Sequence, residues 1–160
     1  MILLDNILGE VCKTLFPIPE EFYLGNSKSP IAICVLSSIP LLKKIAKSEL
    51  MKNISIVGRL FSENKGIDSI IRFANSNPNL HTIILCGKEV VGHKSGFSLL
   101  ALHKNGLDIN GRIINSSSPK PYLNVTQNEV KQFQDKVRII NKIGIIDFKK
   151  ISNLVQTIQN

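Results

Sequence analysis

Short continuous apolar runs alternate along this chain with segments whose apolar residues recur at helical spacing, and that alternation constrains the fold more than any other feature. Ile31-Ala-Ile-Cys-Val-Leu36 follows Pro30 and is apolar throughout, as a strand buried on both faces must be. Ser38 and Pro40 then open a helix expected to run to about Leu50, with proline near the first turn, where its missing N–H costs nothing. Ile54-Ser-Ile-Val-Gly58 predicts a second strand. Ile67, Ile70, Ile71 and Ala74 mark one face of a helix that stops before Asn77-Pro-Asn79. Thr82–Cys86 predicts a third strand, and the helix after it ends on Gly106. Arg112-Ile-Ile-Asn115 predicts a short fourth strand, followed by a loop through Pro119 and Pro121 to Val125. Thr126-Gln-Asn-Glu129 is a capping box that opens a helix carrying Val130, Phe133 and Val137 on one side. Val137–Ile140 predicts a fifth strand, and Asp147 caps a last helix whose face is Phe148, Ile151, Leu154, Val155 and Ile158. The fold class expected from this order is α/β: a Rossmann-like, doubly wound, mostly parallel sheet of about five strands with helices on both faces.

The body of the chain is expected to span residues 23–160. Residues 1–22 read as an N-terminal helix and linker: Ile7, Leu8, Val11, Cys12 and Leu15 have helical spacing, and Phe16-Pro-Ile-Pro19 ends the run. Docking of that helix on the body is the simpler expectation, and a grip on a membrane or partner helix the sharper one. A length of 160 residues suffices for one domain with its own core. No apolar stretch approaches the length of a membrane span, so no transmembrane anchor is expected. Met1-Ile-Leu-Leu4 has no basic segment before it, so no secretory signal is expected. Cys12, Cys34 and Cys86 have no metal-ligand spacing and fit a reducing, cytoplasmic location. The formal charge of +8 suits an anionic ligand or an acidic partner protein. With seven Phe, two Tyr, no Trp and scattered lysines, the chain lacks base-stacking platforms, so no nucleic-acid partner is expected.

In a parallel sheet the strand-to-helix loops gather at the carboxyl ends of the strands, where ligands bind. The loop Cys86-Gly-Lys-Glu-Val-Val-Gly-His-Lys-Ser-Gly96 brings a single imidazole, His93, to that rim, among glycines that allow close approach to the backbone. Arg59-Leu-Phe-Ser-Glu-Asn64 brings Glu63 and Asn64 to the same rim, a potential carboxylate–imidazole neighbourhood. Asn115–Val125 and Asn141–Asp147 are the other loops there. Several enzyme classes fail for want of parts. No GxGxxG or GxxxxGK[ST] loop is present, nor a GxSxG elbow, and His81, His93 and His103 are too dispersed for a zinc site. His81 and His103 read as surface or helix-flank residues.

The stretch Ile84-Leu-Cys-Gly-Lys-Glu-Val-Val-Gly-His-Lys-Ser-Gly96 resembles the hallmark of the A subunit of tetrahydromethanopterin S-methyltransferase, the corrinoid-binding subunit of a methanogen membrane complex. The resemblance continues through Leu99–Gly106, Asp108 and Gly111–Ile114. It also takes in Tyr23-Leu-Gly25, Ser29–Ala32, Ser62–Ile67, Ser76–Asn79, Phe133-Gln134 and Val137. It implies a Rossmann-like methyl carrier that binds cobalamin or a related corrinoid, with His93 as the lower axial ligand of cobalt. The residues it implies around the cofactor are Ser62, Glu63, Asn64, Gly87, Glu89, Gly92, His93, Ser95 and Gly96. Its partners would be methyl-donor and methyl-acceptor methyltransferase proteins. Asn115-Ser-Ser-Ser-Pro-Lys-Pro121 departs from the family's Gly-Ala-Lys-Gly-Ala-Ile-Pro, and Arg59-Leu-Phe61 lacks a cysteine that the family often carries there. The chain reads as a stand-alone, soluble homologue without the family's C-terminal anchor. His93-Lys-Ser-Gly96 also echoes the Asp-x-His-x-x-Gly motif of other corrinoid proteins, but Val91 stands in place of the aspartate. The second N–H of a metal-bound imidazole must therefore find its partner elsewhere, with Glu63 or Asn64 expected to orient the site, Glu89 competing, and Ser62 or the backbone as the remaining alternative. A different class of reading is a flavodoxin-like module that holds a phosphorylated ligand at a helix N-terminus such as that at Ser95.

Overall fold

A computed structural model describes residues 21–160. Five strands, β1 (Phe22–Leu24), β2 (Ile31–Cys34), β3 (Ile56–Gly58), β4 (Thr82–Gly87) and β5 (Arg138–Ile143), form one sheet in the order β1-β3-β2-β4-β5. The four strands β3, β2, β4 and β5 are mutually parallel, and β1 pairs antiparallel with β3 at one edge. The described helices are α1 (Ile39–Ala46), α2 (Lys65–Ser76), α3 (Ser95–Asn105), α4 (Gln127–Lys136) and α5 (Phe148–Gln159), with a 3-10 turn at Glu49–Asn53. The protein is thus α/β with a mostly parallel sheet. The predicted helix over residues 1–22 lies outside the described residues.

Alternation along β2 shows why the sheet needs cover on both sides. Ile31, Ile33 and Val35 pack with Leu41, Leu42 and Ile45 of α1 and with Ile151 and Val155 of α5. Ala32, Cys34 and Leu36 pack on the opposite face, with Ile67 and Ile71 of α2, Leu99 and Leu102 of α3, and Val130 and Phe133 of α4. Every residue of β4 is buried, as its unbroken apolar run demands. From β2 the chain moves to β3 on one side, and from β4 it reaches β5 on the other. The crevice between β2 and β4 is therefore the place where the strand order reverses. Ser37 and Ser38 after β2 are laced to Lys88 after β4: the Ser37 hydroxyl donates to the Lys88 carbonyl at 2.8 Å, and the Lys88 N–H donates to Ser38 Oγ at 2.8 Å.

Three sequence expectations are corrected. Arg112–Asn115 forms no strand of the sheet. It makes isolated bridges, Leu107 with Ile113 and Arg112 with Tyr122, and ends at Asn115 in a left-handed conformation with φ 63°. Ile113 is still fully buried, so its apolar signal reports an anchor under a loop rather than a strand. The sheet's remaining strand is β1, three exposed residues that alternation analysis passes over because they bury nothing. The first helix stops at Ala46, and the 3-10 turn covers the segment that had been expected to continue it to Leu50.

Candidate functional site

Two rim loops meet in a buried carboxylate–imidazole pair. Glu63, in the loop after β3, and His93, in the loop after β4, are both 0% exposed, and His93 Nδ1 lies 2.7 Å from Glu63 Oε2. A carboxylate only accepts, so the proton of this contact sits on Nδ1, and the tautomer this selects has its lone pair on Nε2. The other Glu63 oxygen accepts the Lys120 backbone N–H at 3.0 Å. His93 Nε2 is buried and has no hydrogen-bond partner. Buried polar atoms are nearly always paired, so this one is an anomaly in need of a chemical reason.

The turn around His93 is built by backbone geometry. Gly92 (φ 81°) and Lys94 (φ 49°, ψ 42°) flank it in left-handed conformations, and the Lys94 N–H closes the turn on the Val90 carbonyl at 2.9 Å. Ser118 donates to the His93 carbonyl, and its hydroxyl also contacts Ser98 Oγ, which in turn lies 2.6 Å from Ser116 Oγ. The Asn115–Val125 loop thus holds both members of the pair, Glu63 through the Lys120 amide and His93 through Ser118. Asp68 of α2 secures the far end of that loop by accepting the Asn124 and Val125 amides at 3.0 and 3.2 Å. Phe61 packs against the imidazole with ring centroids 5.3 Å apart, and the Arg59 guanidinium lies 5.3 Å over the Phe61 ring.

Other sequence-flagged residues serve the scaffold in this structure. Glu89 accepts the Val90, Gly96 and Phe97 amides at 2.7, 3.0 and 2.8 Å, so it caps α3 and does not touch His93 through any described hydrogen bond. Ser62 Oγ accepts the Gly66 amide at 2.8 Å and Asn64 Oδ1 the Lys65 amide at 2.7 Å, both at the start of α2. Ser95 donates to the Leu60 carbonyl at 3.0 Å and ties α3 to the loop after β3. At Gly87 (φ 83°) an added Cβ would stand 2.0 Å from the Val35 carbonyl oxygen, and at Gly96 it would stand 2.9 Å from a Glu89 oxygen. Close approach is real at both glycines, but the protein's own atoms make it.

Arg59, Phe61, Asp68, Ser98, Ser116, Ser118 and Lys120 were not singled out as site residues by sequence reasoning. For Arg59, Phe61, Ser116, Ser118 and Lys120 the signal available was membership of two rim loops, whereas Asp68 in α2 and Ser98 in α3 carried none. His103 Nε2 contacts the Val137 carbonyl at 2.6 Å and its ring meets Phe133 edge-on, a structural role. Cys34 and Cys86 are free and buried, and burial pushes the Cys34 thiol up to about 12. Among the described residues no group of three or more His, Cys, Asp or Glu side chains is placed to hold a metal ion by itself. No helix among them is long and apolar enough to cross a membrane.

Fold and site define an α/β protein that keeps one carboxylate-oriented imidazole at the carboxyl edge of a mostly parallel sheet. The family described as the A subunit of tetrahydromethanopterin S-methyltransferase matches residues 10–160. The chain is 34% identical over 140 residues to the A subunit of the putative methyltransferase Mtx of Methanosarcina barkeri, covering 87% of this chain and 67% of that protein. It is 30% identical over 149 residues to the second A subunit of tetrahydromethanopterin S-methyltransferase from Methanothermobacter thermautotrophicus, covering 88% and 79%. The first A subunit of the same organism is 35% identical over 138 residues, covering 85% of this chain and 56% of that protein. The chain belongs to the A-subunit family of tetrahydromethanopterin S-methyltransferase, methyltransferase subunits of methanogenic archaea.

Proposed function

We propose that this protein is a corrinoid-binding methyl carrier of Rossmann-like type in which His93 Nε2 is the lower axial ligand of cobalt. The observation that carries the reading is the orphaned, buried Nε2 of an imidazole whose other nitrogen is fixed by Glu63. Metal-bound histidines commonly have this arrangement, with a carboxylate on the far nitrogen setting tautomer and ring orientation and raising basicity. The donor set fits the group. A metal held by a macrocycle needs a single protein ligand, and a single imidazole is what the rim offers. When bound, a corrinoid supplies a cobalt centre able to accept and donate a methyl group. The chain's own residues do the rest: Glu63 holds the Nδ1 proton, Lys120 and Ser118 fix the pair, and Phe61 packs on the imidazole. Residues around them that the family resemblance assigns to the cofactor, Ser62, Asn64, Gly87, Glu89, Gly92, Ser95 and Gly96, act in this reading through the loop geometry described above.

The phosphorylated-ligand reading loses ground at α3, because Glu89 already takes the N–H groups that an anion would need. In the favoured reading the protein works in the cytoplasm between methyl-donor and methyl-acceptor methyltransferase proteins. The test is spectroscopic. Full-length protein mixed with cob(III)alamin should acquire a histidine-ligated absorption spectrum that survives desalting. His93→Ala should lose that spectrum while keeping native circular dichroism. A His93→Ala spectrum identical to that of the parent would overturn the assignment.

A further inference from the structure

The sheet ends on two unequal edges. β1 offers three residues at one edge, whereas β5 at the other is six residues long, and among the described residues no strand pairs with its outer side. Proteins usually cover or blunt an edge of that length, because its free N–H and C=O groups accept another strand. The register shows which groups are free. The Arg138 N–H donates to the His81 carbonyl at 2.9 Å, and in a parallel ladder every second residue faces the same neighbour. The peptide groups of Arg138, Ile140 and Lys142 therefore face β4, and those of Ile139 and Asn141 face outward. The next outward N–H, of Ile143, is met by Asn141 Oδ1 at 3.1 Å, which closes the edge at that end.

The two sides of β5 differ in chemistry. Ile139 and Ile143 lie on the side of α3 and pack, half-buried, against the same core cluster as Leu100 and Ala101. Phe97, a turn earlier on the same stripe of α3, is 51% exposed. Lys142 lies on the other side, in the wall of a groove of about 300 Å³ against α5 that also holds Ile145, Lys150, Asn153 and Thr157. Lys150, Asn153 and Thr157 recur at helical spacing along one face of α5. Neither lysine is in a described ion pair. Asp147 accepts the Lys149 and Lys150 amides, and Asp135 is paired with Lys131, so the neighbouring acids are already engaged. A second copy of the chain suits this edge poorly. Antiparallel pairing about Ile140 would set Arg138 against Lys142 twice, with a net charge of +8 on each copy.

We propose that the outer edge of β5 takes up an extended segment of a partner protein as a sixth strand of the sheet. The main chain of that segment meets Ile139 and Asn141. Its side chains alternate, acidic toward Lys142 and Lys150 and apolar toward Ile139 and Ile143. Main-chain hydrogen bonds then supply affinity, and the two unlike flanks of β5 supply specificity. The edge also reaches the functional rim. The Gly87 N–H donates to the Ile145 carbonyl at 2.8 Å, and the Gly144 N–H donates to the Gly87 carbonyl at 2.7 Å. The end of β5 is thus bonded to the residue that opens the His93 loop, and a partner held on β5 is brought beside that loop. This docking edge is independent of what His93 binds.

Synthetic peptides of about eight residues, long enough to span β5, test it. One alternates valine and glutamate, a second has the same composition with its glutamates grouped at one end, and a third alternates valine and lysine. Each is titrated into the full chain by fluorescence anisotropy, with amide exchange along β5 followed by NMR. The valine–glutamate peptide should bind and should slow exchange at Ile139 and Asn141. Its grouped isomer should bind about tenfold or more weaker, the scale of one charge-assisted contact. In a chain carrying Lys142→Glu and Lys150→Glu, both at exposed positions, the preference should pass to the valine–lysine peptide. No binding of the valine–glutamate peptide to the parent at about 1 mM overturns the proposal. Equal binding of the grouped isomer does so too, since that is attraction of charge alone. Binding that leaves exchange at Ile139 and Asn141 unchanged, or that survives the double charge reversal, also overturns it. Protection of those two amides in the free chain that falls on dilution would assign the edge to a second copy instead.

Discussion

Glu63 concentrates three demands in one side chain: it accepts from His93 Nδ1, accepts from the Lys120 amide, and has no exposure to water with which to make up for a lost partner. An amide cannot meet them all. In Glu63→Gln the single oxygen serves one donor and the NH2 group then faces the other. That variant should bind cobalamin about ten- to a hundredfold more weakly, the usual cost of losing a partner behind a metal ligand. Glu63→Ala should also destabilise the apoprotein by about 1–3 kcal/mol for each buried donor left unpaired, read as a lower urea midpoint. An unchanged affinity in both variants would mean that His93 needs no carboxylate. The sequence allowed the pair to be anticipated only in outline. Val91 occupies the place of the motif aspartate, so the partner had to come from another loop, and the Glu63 loop was known to share the rim. That Glu63 and not Glu89 reaches the imidazole was not legible. Both are carboxylates on rim loops, and they are separated only by the three backbone amides that Glu89 already caps. The grip of Lys120 on Glu63 was invisible for a different reason: a backbone N–H carries no residue signature.

At the scale of elements, end signals proved more readable than strand lengths. The capping box at Thr126 and Glu129 is formed with both reciprocal bonds, and Asp147 accepts the Lys149 and Lys150 amides at the start of α5. Those contacts hold the Glu129 carboxyl below its ordinary value chiefly through the Thr126 amide, and the Asp147 carboxyl below its own chiefly through the Lys150 amide. A carboxyl lowered on folding stabilises the native state fully above its unfolded value and loses that contribution as pH falls through the folded one. The ordinary values are 4.5 for Glu129 and 3.8 for Asp147, so acid should weaken α4 and α5 in the window beginning near those values and extending below them. Glu129→Gln keeps a residue able to close the box but removes its titration. Melting curves of parent and variant should therefore differ at neutral pH and draw together on acidification, whereas a constant gap would contradict the assignment. Strands were less legible because a run of apolar residues reports burial and not pairing. Ile113 is buried without joining the sheet, while β1 joins it with every side chain exposed.

For the molecule as a whole, the decisive fact is that the proposed ligand atom is shut in. His93 is 0% exposed, and the loops around it are interlocked: Ser37 and Ser38 hold Lys88, Glu89 holds α3, and Ser118 holds the His93 carbonyl. Nothing as large as a corrinoid reaches Nε2 without first parting the His93 turn from the structure that covers it. Under the corrinoid reading proposed above, the described structure would be the closed state of a two-state equilibrium, with the cofactor binding only the open one. Its apparent affinity is reduced by the small open fraction, and its observed binding rate is limited by opening once cobalamin is in excess. Stopped-flow mixing should show a rate constant that levels off as cobalamin concentration rises. Weakening the cover should raise that plateau. Ser118→Ala removes the hydroxyl from the His93 carbonyl without touching Glu63, so it should bind cobalamin faster at saturation while keeping the histidine-ligated spectrum. A rate that climbs linearly to the highest cobalamin concentration, with no change in Ser118→Ala, would show that Nε2 is reached without opening.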